Sequence, residues 1–295
     1  MPPAVSIAIP TFNRATTLER AVRSALGQTH RDLEVVVSDN ASTDGTGELL
    51  ARLTASDPRV RTVRQDVNRG MVANLNAALA LGRGEHIMLL SDDDWLAPRC
   101  VEATLAALRE HPGAVSALGR VTYMRDGQPV PAGGARELLR SDGESRVREY
   151  FAAVDADHGN SWLYGLTPRE LVRGLSPMRN VLGFDWLRAA EVAFLGKIVL
   201  VDEPLIFREL GGTSESTARN VRESRLPALH ARVPHLVMAR YVLSEIGWRS
   251  TVYAPLGRRR RLALAIACAG GVPRRNLRHM LFHLAPRAVQ RRWHR

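Results

Sequence analysis

Residues 86–98 read HIMLLSDDDWLAP, an apolar run that passes directly into three adjacent aspartates. The apolar part, His86–Leu90, is short and is typical of a buried strand. Like charges side by side repel, so Asp92–Asp94 need a compensating cation, a helix start or water. A helix over residues 99–109 could begin after Pro98 and use one aspartate as its cap. Capping does not require three aspartates, however, so the triplet favours a bound cation.

The segments before this one repeat the same order of strand and helix. Apolar, β-branched runs predict strands, and apolar residues at helical spacing predict helices. Strands are expected at residues 5–10, 33–38, 60–63 and 86–90, and helices at 16–26, 46–53, 71–81 and 99–109. This alternation predicts an α/β fold with a mostly parallel sheet covered by helices on both faces.

That topology gives the aspartates a position in the fold. In open α/β sheets, ligands bind at the carboxyl ends of the strands. Thr11–Asn13, Asp39 and Asp92–Asp94 each follow a predicted strand end, so we expect them to face one crevice. Carboxylates gathered there suit a hard divalent cation, Mg²⁺ or Mn²⁺, shared with a diphosphate. The glycine-rich phosphate-binding patterns GxGxxG after the first strand and GxxxxGK[ST] do not occur.

The pattern changes after about residue 113. Residues 115–124 predict a strand and residues 125–143 a polar loop containing glycine and proline. Further along, the sequence predicts a strand at 161–165, a helix from near Pro168, a helix at 185–195, and two strands at 198–201 and 205–208. The sequence contains no internal repeat.

The composition is that of a globular protein of one large domain or two small ones. Of its 295 residues, 45% are hydrophobic and 24% are charged. Cys100 and Cys268 match no metal-binding spacing, which favours a reducing compartment and argues against a disulfide scaffold or structural zinc. The N-terminus does not resemble a signal peptide, and no apolar stretch reaches the roughly 18 residues of a transmembrane helix.

The net charge of +11 is concentrated at the C-terminus. Residues 251–295 contain eleven arginines and no aspartate or glutamate, so they account for the whole excess. Arg258–Arg261 directly precede a short apolar run, and such a combination suits the anionic surface of a membrane. RNA binding is the competing interpretation, but after Arg261 the tail offers only Phe282 and Trp293 for base stacking. We therefore expect peripheral membrane contact and no nucleic-acid partner.

Six segments, in order, resemble the family-two glycosyltransferases, inverting enzymes of the GT-A fold that use nucleotide-diphospho-sugars. They are VSIAIPTFNR (5–14), VVVSDNASTDGT (35–46), NRG (68–70), HIMLLSDDDWLAP (86–98), GFDW (183–186) and VDEPLIFRELGGTS (201–214). The resemblance covers about residues 4–215. It implies a nucleotide-sugar-binding half at 1–112 and an acceptor-binding and catalytic half of the same GT-A domain at 113–215. Outside the resemblance, we expect a helical, Arg-rich extension at 216–295.

The resemblance implies a donor site at the strand ends. Thr11 and Phe12 would line the base pocket, with the ring packing on the pyrimidine. Asp39 would accept a hydrogen bond from the base N3–H, which favours uracil or thymine; an Asx turn before Ser42 is the alternative role. The remaining residues implied to bind the donor are Pro10, Asn13, Arg14, Asn68, Gly70, Asp92 and Arg208.

The resemblance also implies a divalent metal, Mn²⁺ or Mg²⁺, held by Asp93 and Asp94. Asp92 would then approach the ribose or the sugar. Family members often read Asp-x-Asp-Asp where this chain begins with Ser91, so the register within the triplet stays open by one residue. Residues 211–214 would join Arg208 in a diphosphate-facing loop. A histidine that can reach the metal often precedes that loop in the family, and this chain has leucine at position 210.

Asp185 is the candidate catalytic base implied by the GFDW segment. In a single inverting displacement, a carboxylate takes the proton from the acceptor hydroxyl as that hydroxyl attacks the anomeric carbon. Phe184 stands where many relatives carry glutamate. The alternative role of Asp185 is to cap a helix, and the rival candidates for the base are Asp155 and Asp157 near His158.

The sequence thus predicts an inverting glycosyltransferase of the bacterial surface-polysaccharide type. It would move a sugar from a UDP- or dTDP-sugar to a hydroxyl of a glycan or lipid-linked acceptor. The alternatives are a catalytically silent nucleotide-sugar-binding protein of the same fold and a metal-dependent phosphohydrolase. The expected location is the cytoplasm, peripheral at the inner face of the plasma membrane through the Arg-rich tail.

Overall fold

The computed structural model of the protein describes residues 2–131, 134–154, 161–210 and 217–275. Its strands are β1 (Val5–Thr11), β2 (Leu33–Asp39), β3 (Val60–Arg64), β4 (His86–Leu89), β5 (Trp95–Leu96), β6 (Ala114–Arg125), β7 (Gln128–Val130), β8 (Thr167–Pro168) and β9 (Lys197–Glu209). Its helices are α1 (Leu18–Leu26), α2 (Thr46–Ser56), α3 (Met71–Leu81), α4 (Cys100–Glu110), α5 (Gly143–Ala153), α6 (Arg169–Gly174), α7 (Phe184–Leu195), α8 (Thr217–Glu223), α9 (Leu229–Arg232), α10 (Pro234–Ser244) and α11 (Gly257–Arg275).

The first half of the chain forms a five-stranded sheet in the order β3-β2-β1-β4-β8. Strands β1 to β4 run parallel, and the short β8 pairs antiparallel with β4. Ile7 and Val37 pack toward α1, α2 and α4 on one face, whereas Ala8 and Val36 pack toward α3 on the other. The predicted mostly parallel sheet with helices on both faces is confirmed, and it explains why every position of β2 is buried.

A second sheet of four strands has the order β5-β9-β6-β7. Strands β6 and β9 run parallel to each other, and β5 pairs antiparallel with β9. The two strands predicted at 198–201 and 205–208 are one continuous strand, β9. The pairing skips from Val201 to Pro204, and this irregularity is the break that the sequence pattern registered as a boundary.

Residues 161–165 differ from the prediction. The expected strand is a 3₁₀ helix over Ser161–Tyr164. The side chains of Trp162 and Tyr164 are both buried, and the Trp162 indole donates a hydrogen bond to the Arg136 carbonyl at 3.1 Å. Two aromatic residues that point into the core from one tight turn produce an alternating pattern, which the sequence alone does not distinguish from a strand.

The C-terminal helices pack against the second half of the domain. A buried cluster joins α5 and α7 to α10 and α11 through side chains that include Tyr150, Ala190, Ile246, Leu264 and Cys268. A turn of π-helix over Glu245–Arg249 and a 3₁₀ helix over Thr251–Leu256 connect α10 to α11. In the described part of the chain, no helix has the length and apolar character needed to cross a bilayer.

Candidate active site

The loops that follow β1 and β2 are tied to each other by hydrogen bonds. The Asn13 amide donates to Ser42 Oγ at 2.9 Å, and the Thr43 amide donates to Asn13 Oδ1 at 2.8 Å. The Arg14 amide donates to Thr46 Oγ1 at 3.1 Å. Asn13 takes a left-handed backbone conformation with φ of 54°, which asparagine tolerates better than most residues. The polar residues of these two segments therefore fix the shape of one edge of the crevice.

Asp39 lies at the end of β2, directly beside Thr11 of β1. Its Oδ1 accepts hydrogen bonds from the amide and the hydroxyl of Ser42, at 3.0 and 2.5 Å. Its Oδ2 accepts from Arg64 Nη1 at 3.2 Å. The local role considered as an alternative is therefore present in a modified form, because the bonded amide is three residues on and not the two of an Asx turn. It occupies one carboxylate oxygen, and Oδ2 keeps the capacity to accept a second hydrogen bond.

The predicted donor-binding residues Asn68 and Gly70 lie beside the end of β2. Asn68 Oδ1 accepts hydrogen bonds from Asn40 Nδ2 at 3.0 Å and from the Gly70 amide at 2.9 Å. Gly70 precedes α3 with φ of 87°, a conformation that glycine adopts without strain. The NRG segment is thus held against the same crevice edge as Asp39.

Asn74 is a site residue that the sequence reasoning missed. It is buried on α3, where its Nδ2 donates to the carbonyls of Thr11 and Ser38 at 3.1 and 3.0 Å. Its Oδ1 accepts from Ser38 Oγ at 2.7 Å. A single asparagine facing the sheet from a largely apolar helix was the signal available for it. Its contacts align the ends of β1 and β2.

Pro10 and Phe12 flank the buried Thr11 at the end of β1. Pro10 is half-buried within the strand, and Phe12 keeps 40% of its surface exposed just beyond it. An exposed aromatic ring at a strand end is available to pack on a planar ligand. The structure therefore brings the predicted base-pocket residues to the same edge as Asp39.

The three aspartates after β4 have different environments. Asp94 is buried, and its Oδ2 accepts hydrogen bonds from the Tyr164 hydroxyl at 2.8 Å and from Arg208 Nε at 3.3 Å. Its Oδ1 accepts from the Glu209 amide at 3.1 Å. Burial raises the pKa of Asp94 to about 6, even though the Arg208 guanidinium acts in the opposite direction. Asp94 therefore ties the aspartate loop to the end of β9.

Asp92 and Asp93 are the less constrained pair. The Asp92 carboxylate lies 3.8 Å from Arg14 Nε. Burial and repulsion from Asp93 raise the pKa of Asp92 to about 7, against the opposing effects of the Thr11 hydroxyl, Arg14 and the Phe12 amide. Among the residues that the structure describes, the Asp93 carboxylate has no hydrogen-bond or ion-pair partner, whereas its main-chain oxygen accepts from Arg20 Nη2 at 2.7 Å. A carboxylate without a partner, next to a second carboxylate, is stabilised by an added cation.

The donor set fits a hard divalent cation that is shared with a ligand. No group of three or more His, Cys, Asp or Glu side chains capable of holding a metal occurs in the described ranges. The Asp93 carboxylate with an adjacent aspartate is instead of the kind that Mg²⁺ uses, with one or two carboxylates and the remaining positions filled by phosphate and water. Residues 211–214, predicted to face the diphosphate, lie outside the described residues.

Aromatic rings pack against the two arginines that contact the aspartate loop, Arg208 and Arg20. Arg208 is largely buried, with its guanidinium carbon 4.7 Å from the centre of the Tyr164 ring. Arg20 lies 3.8 Å from the Trp95 ring, which in turn stacks on Phe207 at 5.4 Å. The sequence pattern gave no signal for the roles of Arg20 and Tyr164, because both contact the loop from distant parts of the chain.

Asp185 lies in the first turn of α7, where the helix dipole favours a carboxylate. The residue at the N-cap is Gly183, with φ of 78°, so the capping position considered for Asp185 belongs to another residue. Phe184 packs against the cluster around α3, whereas Trp186 packs against the cluster around α5 and α11. Asp185 therefore lies where the two halves of the domain meet. The rival candidates Asp155, Asp157 and His158 lie outside the described residues.

The highest identities to proteins of known sequence extend over about 100 residues of this chain. Chondroitin synthase from Pasteurella multocida is 43% identical over 103 residues, which is 35% of this chain and 11% of the synthase. Chondroitin synthase from Escherichia coli is 44% identical over 108 residues, or 16% of its length. The chain thus spans a small part of these synthases. An uncharacterized glycosyltransferase from Nostoc is 27% identical over 238 residues, covering 76% of this chain and 71% of that protein.

Among solved structures, residues 1–349 of TarS from Staphylococcus aureus superpose with a TM-score of 0.62 at 16% identity. The match covers 99% of this chain and 78% of the TarS chain. The complex of TarS with UDP-GlcNAc gives a TM-score of 0.56 at 18% identity and covers 93% and 82% of the two chains. At these identities the likeness establishes the fold, which is the predicted GT-A fold.

The family model described as Glycosyl transferase family 2 matches residues 6–164, more than half of the chain. The matched region contains the strand-end loops, the aspartates after β4 and Tyr164. The protein therefore belongs to glycosyl transferase family 2.

Proposed function

We propose that the protein is an inverting glycosyltransferase that moves a sugar from a UDP- or dTDP-sugar to a hydroxyl of a glycan or lipid-linked acceptor. The observation that carries this proposal is the Asp93 carboxylate, which has no partner in the described ranges, next to Asp92 at the strand edge of Thr11 and Asp39. The related chondroitin synthases and the TarS complexes with UDP and UDP-GlcNAc support a nucleotide-sugar donor.

The base and ribose would bind at the edge formed by β1 and β2. Phe12 offers an exposed ring for the pyrimidine, and Asp39 Oδ2 can accept a hydrogen bond from a base N3–H. Such an acceptor favours uracil or thymine, because cytosine carries no hydrogen at N3. Asn68 and Gly70 close the same edge, and Asp92 would approach the ribose or the sugar.

The diphosphate would lie between the aspartate loop and Arg208. A bound Mn²⁺ or Mg²⁺ would supply charge neutralisation for the leaving diphosphate. Asp93 and Asp94 are the predicted ligands, and the contacts favour Asp93, since Asp94 already accepts three hydrogen bonds. Arg208 is held beside the aspartate loop by Asp94 and Tyr164, and a guanidinium group there suits phosphate oxygens.

The acceptor hydroxyl would be deprotonated by Asp185. Its carboxylate stands at the start of α7, between the donor half and the acceptor half of the domain. A base at this junction can reach a hydroxyl that approaches the donor from the second half. Attack from the side opposite the diphosphate inverts the anomeric configuration.

We also propose that the protein contacts a membrane through the outward face of α11. On α11, Leu262 and Ile266 keep 46% and 58% of their surfaces exposed, and Trp248 of the preceding π-helical turn keeps 59%. Arg258 and Arg259 are exposed at the start of α11, three to four residues before Leu262. An apolar face with basic residues at one end is typical of helices that lie on anionic bilayers. This contact would place the protein at the inner face of the plasma membrane.

Incubation with a panel of nucleotide-sugars, Mn²⁺ or Mg²⁺, and candidate acceptors tests the proposed activity. Release of free UDP or dTDP that depends on the acceptor supports sugar transfer. Nucleotide-sugar binding without release would instead indicate the catalytically silent protein. Release at the same rate without any acceptor would indicate a phosphohydrolase.

A further inference from the structure

A cavity of about 200 Å³ lies between the start of α7 and the C-terminal helices. The segment before α7 contributes Met178 and Arg179 to its wall, α7 itself contributes Phe184 and Arg188, and the π-helical turn contributes Glu245. None of the residues proposed to bind the donor lines this cavity. We refer to it as the α7 cavity.

Arg188 is the most unusual residue of the α7 cavity. Its side chain is only 10% exposed, and burial lowers the pKa of its guanidinium. One terminal nitrogen donates to the Ser176 carbonyl, and Nη1 lies 3.4 Å from Glu191 Oε2. Within the described ranges, however, its Nε and Nη1 make no hydrogen bond. A buried N–H group without an acceptor costs free energy. A ligand oxygen that accepts hydrogen bonds from these groups would therefore bind favourably.

The other charged groups of the cavity are already engaged. Glu191 Oε1 accepts a hydrogen bond from Ser250 Oγ at 2.6 Å. Glu245 pairs with Arg179 and lies 3.5 Å from Arg249 Nε. The lining therefore holds three arginines against two glutamates, a net charge of +1. This balance suits a ligand with one negative charge better than a doubly charged phosphate, which the two glutamates would repel.

The uncharged part of the wall is apolar. Met178, Val181, Phe184 and Leu187 form it together. The cavity volume corresponds to roughly seven water molecules at liquid density, which is space for one small ring. An aromatic and aliphatic wall opposite a buried guanidinium fits a sugar ring that carries a carboxylate. The open Nε and Nη1 donors face different sides of the guanidinium, so a carboxylate oxygen of such a sugar can accept a charge-assisted hydrogen bond from one of them.

The cavity adjoins the proposed base. Phe184, Leu187, Arg188 and Glu191 occupy positions i, i+3, i+4 and i+7 of α7, so they share one face of the helix. Asp185 precedes Arg188 by three residues, and side chains at this spacing are neighbours on the helix surface. A sugar held by Arg188 would therefore present its neighbouring hydroxyls toward Asp185.

We infer that the α7 cavity binds a carboxylate-bearing sugar of an acidic acceptor glycan through Arg188. This inference rests on the proposed glycosyltransferase function and names its acceptor class. The carboxylate accepts hydrogen bonds from Arg188, the ring packs on the apolar wall, and the adjoining part of the glycan extends toward Asp185.

Acceptor binding by calorimetry, in the presence of UDP and Mn²⁺, tests the inference. The probes are a short oligosaccharide ending in glucuronic acid, its carboxyl-reduced counterpart ending in glucose, and a counterpart ending in glucose 6-phosphate. We expect the wild-type protein to bind the acidic form at least about tenfold more tightly than the reduced form, which corresponds to about 1.4 kcal/mol. Equal binding of these two forms overturns the inference, and so does tightest binding of the phosphate form.

Arg188→Gln and Arg173→Gln form a matched pair of variants. Arg173 is exposed on α6 and does not line the cavity. Arg188→Gln should lose the preference for the acidic form, whereas Arg173→Gln should keep it. A folded Arg188→Gln protein that retains the full preference contradicts the inference. The comparison of the probes with the wild-type protein needs no variant, so it tests the inference even if Arg188→Gln does not fold.

The same probes separate this inference from the proposed function. Sugar transfer to neutral acceptors together with equal binding of the acidic and reduced probes overturns the cavity assignment alone. Acid-selective binding that depends on Arg188, without sugar transfer to any acceptor, supports the cavity and contradicts the proposed function.

Discussion

At the scale of single residues, the aspartates after β4 have the same side chain but different surroundings. Asp94 is locked by Tyr164, Arg208 and the main chain, whereas Asp93 has no partner for its carboxylate among the described residues. Asp92 lies between these extremes, with a pKa raised to about 7 by burial and by Asp93. One triplet can therefore combine a structural anchor with groups that are available to a ligand.

Substitution at Asp93 and Asp94 should separate these roles. Asp93→Ala should abolish the increase in thermal stability that Mn²⁺ and UDP produce together, while stability without ligands changes little. Asp94→Ala should cost about 1–3 kcal/mol of unfolding free energy, because it removes the buried acceptor of hydrogen bonds from Tyr164, Arg208 and the Glu209 amide. Thermal and urea unfolding with and without ligands measure both effects. A ligand response that survives in Asp93→Ala would remove the metal-binding role from this residue.

Asp185→Asn tests the assignment of the base. The amide keeps the size of the side chain but cannot take a proton, and positioned proton transfer contributes about 10²–10⁴-fold to a rate. We expect kcat to fall by that factor while donor affinity stays unchanged. Steady-state kinetics and donor titration measure the two quantities. Near-normal turnover would move the base to the segment containing Asp155, Asp157 and His158.

At the scale of elements, hydrogen bonds across neighbouring strands and loops hold the first sheet together. Glu34 of β2 accepts hydrogen bonds from Ser6 Oγ in β1 at 2.7 Å and from the Arg83 amide at 2.6 Å. Its second oxygen accepts from Arg61 Nη1 in β3 at 2.8 Å. One buried carboxylate thus links three strands and the loop before β4.

Glu34→Gln should destabilise the protein in a pH-dependent manner. Burial alone would raise the pKa of Glu34, but the hydrogen bonds from Ser6, Arg83 and Arg61 outweigh it and hold the pKa below its usual value. The carboxylate therefore stabilises the fold above the unfolded pKa of about 4.3, and this stability is lost as the pH falls through the lower folded value. We expect a loss of about 1–3 kcal/mol at pH 7 that shrinks in acid. Urea unfolding from pH 7 to pH 3 measures it, and a loss independent of pH would contradict the assignment.

Elements with a clear period were predictable from the sequence, whereas those defined by distant contacts were not. The helix predicted at 71–81 matches α3, and the first two strands differ from prediction by one residue at their ends. The 3₁₀ helix at 161–164 was mistaken for a strand because its burial comes from contacts that no local pattern records. The site followed the same rule: strand-end aspartates were visible in the sequence, whereas Asn74, Tyr164 and Arg20 were not, since each acts on another segment.

At the scale of the whole molecule, the proposed donor site and the proposed acceptor site lie on different parts of the chain. The proposed donor residues lie mainly at the ends of β1, β2 and β4, within the region matched by the family model. The α7 cavity and the outward face of α11 depend on the C-terminal helices. This division is consistent with one part of the chain that binds the donor and a second part that determines which acceptor is used and where the protein is located.

Vesicle binding tests the outward face of α11. The protein should co-sediment with vesicles containing phosphatidylglycerol and not with neutral phosphatidylcholine vesicles, since each basic residue near an anionic surface contributes about 1 kcal/mol. Replacing Leu262 and Ile266 by serine should weaken this binding. Leu139→Ser is the matched control, because Leu139 is also exposed and lies elsewhere. Equal binding to neutral vesicles, or no effect of the double substitution, would contradict the assignment.

Proton NMR of the reaction product tests the central claim most directly. The wild-type protein is incubated with an α-linked UDP-sugar or dTDP-sugar, Mn²⁺ and an acceptor, and the coupling constant of the new anomeric proton is measured. The account predicts a β-linked product that forms only when acceptor and divalent cation are both present. An α-linked product, or nucleotide release that proceeds without an acceptor, would contradict it.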